Sequence, residues 1–352
     1  MRILYVGTLD PDGTCYSRWC ALRELEPEVH GFDSRQHLLY STLGSVRRRL
    51  ATHAHVGPVL RRGNEALKSA CLALKPDLVW IEKGEWIWSS TLRFLREQGC
   101  FLVHYVTDAL NHGHWKARLQ CRLLRTTIPD YDVFITTNDR DYAQLAAMDH
   151  PTAIFTDLGY DHRRFEPTPL PAELVGKWNN PVVFVGHYEP HTEAGLLALI
   201  DSGLPLKVFG PPPWGTSKIQ ARLRDHVFPR LSSEDYVHAL KGAKIGLCFV
   251  SALNYNQTAA RSFEIPGCGT FLLAVRTPQH LTYFKEGVEA GFFGDHRELV
   301  DKTRYYLKHE AEREAIARRG HERCISSGYS WDGLMKRDWP KVKQLYSERR
   351  RS

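Results

Sequence analysis

The sequence predicts an α/β protein made of two Rossmann-like domains facing across a cleft, with a C-terminal crossover helix. Continuous apolar runs recur with helix-like stretches between them, the pattern of parallel strands covered on both faces. That alternation breaks once, at the proline-rich Phe165-Glu166-Pro167-Thr168-Pro169-Leu170-Pro171, and then restarts. At 352 residues the chain is long for one core and comfortable for two. The boundaries this implies are 1–165 for the N-terminal domain, 166–180 for a linker, and 181–328 for the C-terminal domain. Residues 329–352 form a helix returning to the first domain, and a basic tail.

In chain order, Ile3–Val6 reads as the first strand, followed by the turn Asp10-Pro11-Asp12-Gly13-Thr14 and a helix through Trp19, Leu22 and Leu25. Glu28–Phe32 is a second strand, and a basic helical region covers about Leu38 to Leu74. Asp77-Leu78-Val79-Trp80-Ile81 is a buried strand ending in the polar loop Glu82-Lys83-Gly84-Glu85. Phe101–Val106 ends in Thr107-Asp108, and Tyr131–Asn138 follows. After the proline-rich break, Pro181–Val185 ends at Gly186-His187, and a helix lies near Glu193–Ser202. Leu206–Gly210 is the next strand, ending at Pro211-Pro212-Pro213-Trp214. A helix over Ser232–Leu240 has Ser233 as its expected cap. Ile245–Val250 is a strand, and helices fill Leu281–Arg323 and Trp331–Tyr346. In such sheets ligands sit beyond the carboxyl ends of strands. Gly7, Glu82, Asp108 and Asn138 are therefore the positions to watch in the first half.

Composition excludes several classes. Hydrophobic content of 43% and charged content of 25% suit a globular protein. No apolar run approaches the roughly 20 residues that span a bilayer, and the start is too short for a secretory signal. Eight scattered cysteines without a C-x-x-C pair suit reduced thiols. The expected location is cytoplasmic and peripheral on a membrane. The net charge of +7 is concentrated: Gln36–Pro76 has seven Lys/Arg against one acid, and Lys336–Ser352 has seven against two. Such patches favour anionic surfaces. For Arg47–Arg62 the expected partner is acidic lipid around a lipid-linked acceptor, or a phosphorylated acceptor itself, with a solvated helix face as the plainer alternative.

The most informative stretch is Asn254–Ala274: a polar loop, a short helix with Arg261 and Glu264 three apart, the break Gly267-Cys268-Gly269, and a buried strand. A helix opening beside a ligand can offer N–H groups to an anion. Arg261 supplies a cation for phosphate, and Glu264 a carboxylate for sugar hydroxyls. The same spacing also suits a surface ion pair.

Around this stretch stand Val185-Gly186, Phe209-Gly210 and the helix entry Arg261-Ser262-Phe263-Glu264-Ile265-Pro266-Gly267. Downstream come Phe284-Lys285-Glu286-Gly287, Leu299-Val300, Tyr305-Tyr306-Leu307, Arg313, Ala317, Gly320 and Tyr329. Together they resemble a glycosyltransferase of the GT-B fold, nearest to the CgeB-like, spore-maturation-protein group of the glycosyltransferase 1 clan. The resemblance rests on about Pro181–Tyr329. It implies hexosyl-type transfer from a nucleotide-sugar donor, a UDP-sugar, to a hydroxyl acceptor in glycan biosynthesis, with donor on the C-terminal domain and acceptor on the N-terminal one. Glu264 would grip the donor ribose and Arg261 the diphosphate, with Asn256 and Gln257 near the sugar. Gly186 and His187 would approach the phosphates, Phe228 the nucleobase, and Trp214 would offer an aromatic face. The broad retaining family carries a second acid eight residues before this glutamate, where this chain has Asn256. It also carries an Arg and a Lys where this chain has His187 and His191. The anomeric outcome stays open.

An inverting enzyme needs a base to deprotonate the acceptor. Asp108, at a strand end, is the candidate, with an Asx cap as the plainer alternative. Glu82 and Glu85 are runners-up, and with Gly13 and Thr14 they mark the acceptor side. The D-x-D sequences Asp10-Pro11-Asp12, Asp130-Tyr131-Asp132 and Asp139-Arg140-Asp141 all lie in the first half, and the donor-side half has none, so no metal and no cofactor are expected. His53-Ala54-His55 and His112-Gly113-His114 lack partner carboxylates or thiols nearby. The alternatives are a nucleotide-sugar epimerase on the same fold, or a non-catalytic nucleotide-sugar or nucleic-acid binder. The last ranks lowest because no nucleic-acid-binding signature appears.

Overall fold

The computed structural model describes residues 1–38, 51, 54–216 and 219–351. The run Arg47-Arg48-Arg49 and His53 lie outside the described residues. The chain divides into two compact units. The N-terminal unit comprises Met1–Asp157, Leu253–Tyr255 and Trp331–Ser352, and the C-terminal unit Leu158–Ala252 and Asn256–Ser330.

The N-terminal unit is built on a parallel six-stranded sheet of order β2-β1-β3-β4-β5-β6. Its strands are β1 Ile3–Gly7, β2 Val29–Asp33, β3 Leu78–Glu82, β4 Phe101–Val106, β5 Val133–Thr136 and β6 Thr152–Phe155. Every position of β1, β3 and β4 is buried, because helices cover both faces. The C-terminal unit repeats the plan with order β12-β11-β10-β7-β8-β9. Its strands are β7 Asn180–Val185, β8 Lys207–Phe209, β9 Val227–Phe228, β10 Ala243–Cys248, β11 Phe271–Val275 and β12 Gly291–Phe293.

The apolar runs read from sequence coincide with the interior strands. The sequence reading passes over the sheet-edge strands β6 and β9, and the stretch Leu281–Arg323 read as helical is interrupted by a third edge strand, β12, whose three residues Gly291–Phe293 are too few to show a strand run. Three further details differ. The basic region expected as one helix from Leu38 is, among the described residues, a helix over Pro58–Leu74 with proline in its first turn. The helix Ser233–Lys241 is capped by Ser232, whose hydroxyl accepts from the Asp235 N–H at 3.1 Å, while Ser233 accepts from Arg164. The segment read as a linker is packed into the C-terminal unit: Phe165 is buried, and the helix Ala172–Trp178 buries Trp178.

The terminal helix Trp331–Arg349 belongs to the N-terminal unit. Met335, Trp339 and Val342 share a core with Tyr5, Trp80 and Phe101, and the Trp339 ring lies 6.3 Å from that of Trp80. The Trp339 indole N–H donates to Glu26 at 2.9 Å. Among the described residues no helix is long and apolar enough to cross a membrane.

Truncating a core tryptophan costs about 3–5 kcal/mol. Trp339→Ala should therefore remove about that much from the urea transition that unfolds the N-terminal unit. A loss below about 1 kcal/mol would mean that this helix is not part of the unit's core.

Candidate functional site

Both sheets reverse direction once, and the candidate residues gather where they do. In the C-terminal unit β7 is flanked by β8 on one side and β10 on the other, so the reversal lies between β7 and β10. In the N-terminal unit it lies between β1 and β3. The connections diverge at such points and leave a crevice beyond the strand ends.

Gly186 follows β7 directly. Its N–H donates to the Phe209 carbonyl at 3.0 Å, and its own carbonyl accepts from the Trp214 indole at 2.9 Å. A Cβ at Gly186 would stand 2.8 Å from Phe184 and 3.4 Å from the Arg261 guanidinium carbon. The missing side chain leaves room for the Phe184 ring, and the Arg261 guanidinium stands at ordinary contact distance from the turn. The Arg261 Nε is enclosed and, among the described residues, has no hydrogen-bond partner. Among the described residues no carboxylate lies within 4.0 Å of the guanidinium, so the i,i+3 surface ion pair with Glu264 is not formed.

Glu264, one turn on, is 7% exposed. Its Oε2 accepts from the Tyr236 hydroxyl at 2.5 Å. Burial pushes the Glu264 carboxyl above its ordinary value, against the Tyr236 hydrogen bond and the charges of Arg261 and Arg164. Burial and the Glu264 charge hold the Tyr236 phenol protonated well above its usual range, so it remains the donor. The helix Arg261–Gly267 has seven residues and Pro266 inside it. The case for an anion therefore rests on the guanidinium rather than on the helix terminus.

The helix is held by a chain of buried polar groups. His280 Nδ1 lies 2.7 Å from the Val275 carbonyl, and Nε2 lies 2.7 Å from the Ser262 hydroxyl. Burial pushes His280 down to about 4, so it is neutral. The carbonyl can only accept, so Nδ1 carries the proton and Nε2 accepts from Ser262. Ser262 in turn accepts from the Ala259 N–H at 3.0 Å, which anchors the residue two before Arg261.

The other donor-side candidates spread outward from this cluster. Trp214 is buried between Phe184 and Tyr188, with ring centroids at 6.2 and 5.0 Å. Its role is to hold the Gly186 turn rather than to offer a free aromatic face. Phe228, at the end of β9 and 37% exposed, lies 5.3 Å from Phe209 and so reaches the Gly186 region through that ring. His187 is exposed beside Gly186. Asn256 and Gln257 lie half-buried on the loop before the helix. The Gln257 carbonyl accepts from Thr277 at 2.6 Å. Tyr236 and Arg164 join Glu264 only through folding, as no spacing links them to it.

In the N-terminal unit, a cavity of about 450 Å³ opens at the reversal between β1 and β3, and Gly13, Thr14, Glu82 and Glu85 all line it. At its wall is a residue that the sequence reading passed over, Arg18, only 3% exposed. Its guanidinium grips Glu82 through Nε at 2.9 Å and Nη2 at 2.6 Å, and lies between the Tyr105 and Trp331 rings at 4.6 and 4.5 Å. Glu82 also accepts from Tyr5 at 2.6 Å. It is a committed internal partner rather than a free acid. Glu85 accepts from Gln120 at 2.6 Å. Asp108 is not part of the cavity wall, although Lys83 is, and the two pair at 2.7 Å. Burial pushes the Asp108 carboxyl up, but the Lys83 charge and hydrogen bond outweigh it and hold the group below its ordinary value. Among the described residues no group of three His, Cys, Asp or Glu side chains is placed to hold a metal ion.

Comparison with known proteins follows this geometry. Residues 193–337 match the model of a family described as glycosyl transferase-like, a span that includes Tyr236, Arg261 and Glu264. No curated protein matches the chain. Among solved structures, sucrose-phosphate synthase from Thermosynechococcus elongatus is 14% identical with a TM-score of 0.68, covering 99% of this chain and 100% of that one. Anabaena HepE in complex with UDP-glucose is 13% identical with a TM-score of 0.65, covering 98% and 100%. A putative UDP-N-acetylglucosamine 2-epimerase from Listeria monocytogenes is 13% identical with a TM-score of 0.59, covering 99% and 97%. Over nearly its whole length, the chain has the two-domain α/β fold of the GT-B glycosyltransferases.

Proposed function

We propose that the protein is a glycosyltransferase that moves a sugar from a nucleotide-sugar donor, a UDP-sugar, to a hydroxyl acceptor. The observation that carries the reading is the Arg261–Glu264–Tyr236 cluster against Gly186, at the strand reversal of the C-terminal unit and inside the matched segment. A guanidinium without an ion-pair partner can meet a diphosphate and offset the charge that develops as it leaves. A carboxylate with one oxygen held by Tyr236 has the other for ribose hydroxyls. HepE, on the same fold, is solved with UDP-glucose. Transfer without a metal is part of the proposal, with Arg261 supplying the positive charge. So is kinship with the CgeB-like group, on the motif order from Val185 to Tyr329. The acceptor belongs in the cavity beside Gly13, Thr14 and Glu85; Asp108, the proposed base, lies behind Lys83 of the cavity wall and meets the acceptor only when that pair opens.

A second reading, epimerisation of the donor sugar, is favoured by the Listeria neighbour on the same fold. An epimerase converts the donor without an acceptor, so product analysis separates the two.

Glu264→Gln keeps the shape and removes the charge from hydrogen bonds worth about 1.5–3 kcal/mol. It should weaken UDP binding by roughly ten- to a hundredfold in titration calorimetry. Unchanged affinity, or no UDP binding by the native protein, would sink the donor-site reading. Arg261→Gln should lower turnover by roughly a hundred- to a thousandfold, because it removes a charge aimed at the leaving group. Full activity of that variant with the cognate donor would remove Arg261 from the mechanism. Lys83→Gln removes the charge that depresses Asp108, so the acid limb of the pH–rate profile should move to higher pH. A profile that stays in place would exclude Asp108 as the base.

A further inference from the structure

The two basic clusters of the sequence differ in what surrounds them. Most of the tail cations are met by acids of their own unit: Lys343 by Glu26, Lys341 by Asp338, Arg337 by Asp157, Arg349 by Asp132 and Arg350 by Asp77. The acids nearest the other cluster are turned to other partners: Glu65 pairs with Lys68 and Glu85 accepts from Gln120. Arg61 and Arg62 are exposed on the helix Pro58–Leu74, and no Asp or Glu occurs over residues 54–64. A second acid-free stretch, residues 111–128, carries exposed Lys116, Arg118 and Arg122. Among the described residues none of these five cations has a carboxylate within 4.0 Å.

Folding places the two stretches side by side. The His55 Nε2 lies 3.2 Å from the Leu119 carbonyl, and the Trp88 indole donates to the His55 carbonyl at 3.1 Å. Two large apolar side chains stand out among the cations: Trp115 is 62% exposed and Val56 is 54% exposed. The Lys116 ammonium lies 5.5 Å from the Trp115 ring centre, with its charge beside the aromatic face. Exposed tryptophan flanked by lysine and arginine is the composition that settles at a headgroup boundary. A nucleic acid would use the cations but gains nothing from an exposed valine.

We propose that this face of the N-terminal unit docks the protein on a bilayer carrying anionic headgroups. Trp115 and Val56 enter the headgroup boundary, and Arg61, Arg62, Lys116, Arg118 and Arg122 meet the lipid charge. Docking does not depend on the glycosyltransferase reading. It does bear on where an acceptor arrives, because His55 and Gln120 of these same stretches line the cavity of this unit.

The test is co-sedimentation of the whole protein with vesicles. One set is phosphatidylcholine alone, and the other is phosphatidylcholine mixed equally with phosphatidylglycerol. Binding is expected only to the anionic vesicles. Each cation near such a surface contributes about fivefold in partitioning, so the double variant Arg118→Glu, Arg122→Glu should bind at least roughly 25-fold more weakly. Trp115→Ala should lower binding severalfold and leave the salt dependence in place. Both changes are on exposed side chains, and unchanged thermal melts would confirm the fold. Four results overturn the proposal: no vesicle binding, equal binding to both vesicle types, binding that ignores the double reversal, or binding to a DNA duplex in preference to vesicles with Trp115→Ala without effect.

Discussion

Arg261 brings a positive charge against the turn after β7, and its Nε is enclosed without a hydrogen-bond partner among the described residues. An unpaired charge taken from water is costly, and the neighbouring groups are arranged around that cost. The guanidinium stands beside Gly186, and Trp214 fixes the carbonyl of that glycine. Glu264 and Arg164 sit close enough to act on each other electrostatically, and Tyr236 is drawn in as the hydrogen-bond donor. Neutral His280 and Ser262 anchor the helix start from below. A group kept charged and under-satisfied in this way is suited to a ligand that brings the missing anion.

The N-terminal unit resolves the same problem differently. Arg18 is more deeply buried than Arg261, and it is gripped by Glu82 and stacked between Tyr105 and Trp331. Removing one member of such a pair strands a charge, which costs about 3–5 kcal/mol. The pair joins the first helix, β3, β4 and the terminal helix, so it organises the cavity wall without spending Glu82 on a ligand. Both sheets thus set an arginine at the reversal of strand order, one in an ion pair and one without a carboxylate within 4.0 Å among the described residues, and each keeps one enclosed nitrogen without a hydrogen-bond partner there.

Much of this was legible in order along the chain. Buried parallel strands are apolar on both faces, so β1, β3, β4, β7, β10 and β11 announce themselves as continuous runs. Edge strands are short and lean on one neighbour, so β6, β9 and β12 carry no such run. Arg261 and Glu264 stand one turn apart, and their chemistry could be read from spacing. Tyr236 lies 28 residues from Glu264 and Arg18 lies 64 from Glu82, and no local pattern records those pairings. The Ser232 cap and the burial of Trp214 were missed for a related reason: each depends on where one side chain points rather than on what the residue is.

The sequence by itself determined the α/β class, the two repeated halves and the stretch that carries the donor candidates. Those follow from hydrophobic burial and helix spacing, which act over a few residues. Tertiary structure alone decided which charges are spent and which are left available. Glu82 is committed to Arg18 and most tail cations to acids of their unit, while among the described residues Arg261 and the five cations Arg61, Arg62, Lys116, Arg118 and Arg122 have no carboxylate within 4.0 Å. Charge pairing is settled by distances of a few ångströms between segments far apart in the chain, and strand order and helix docking set those distances.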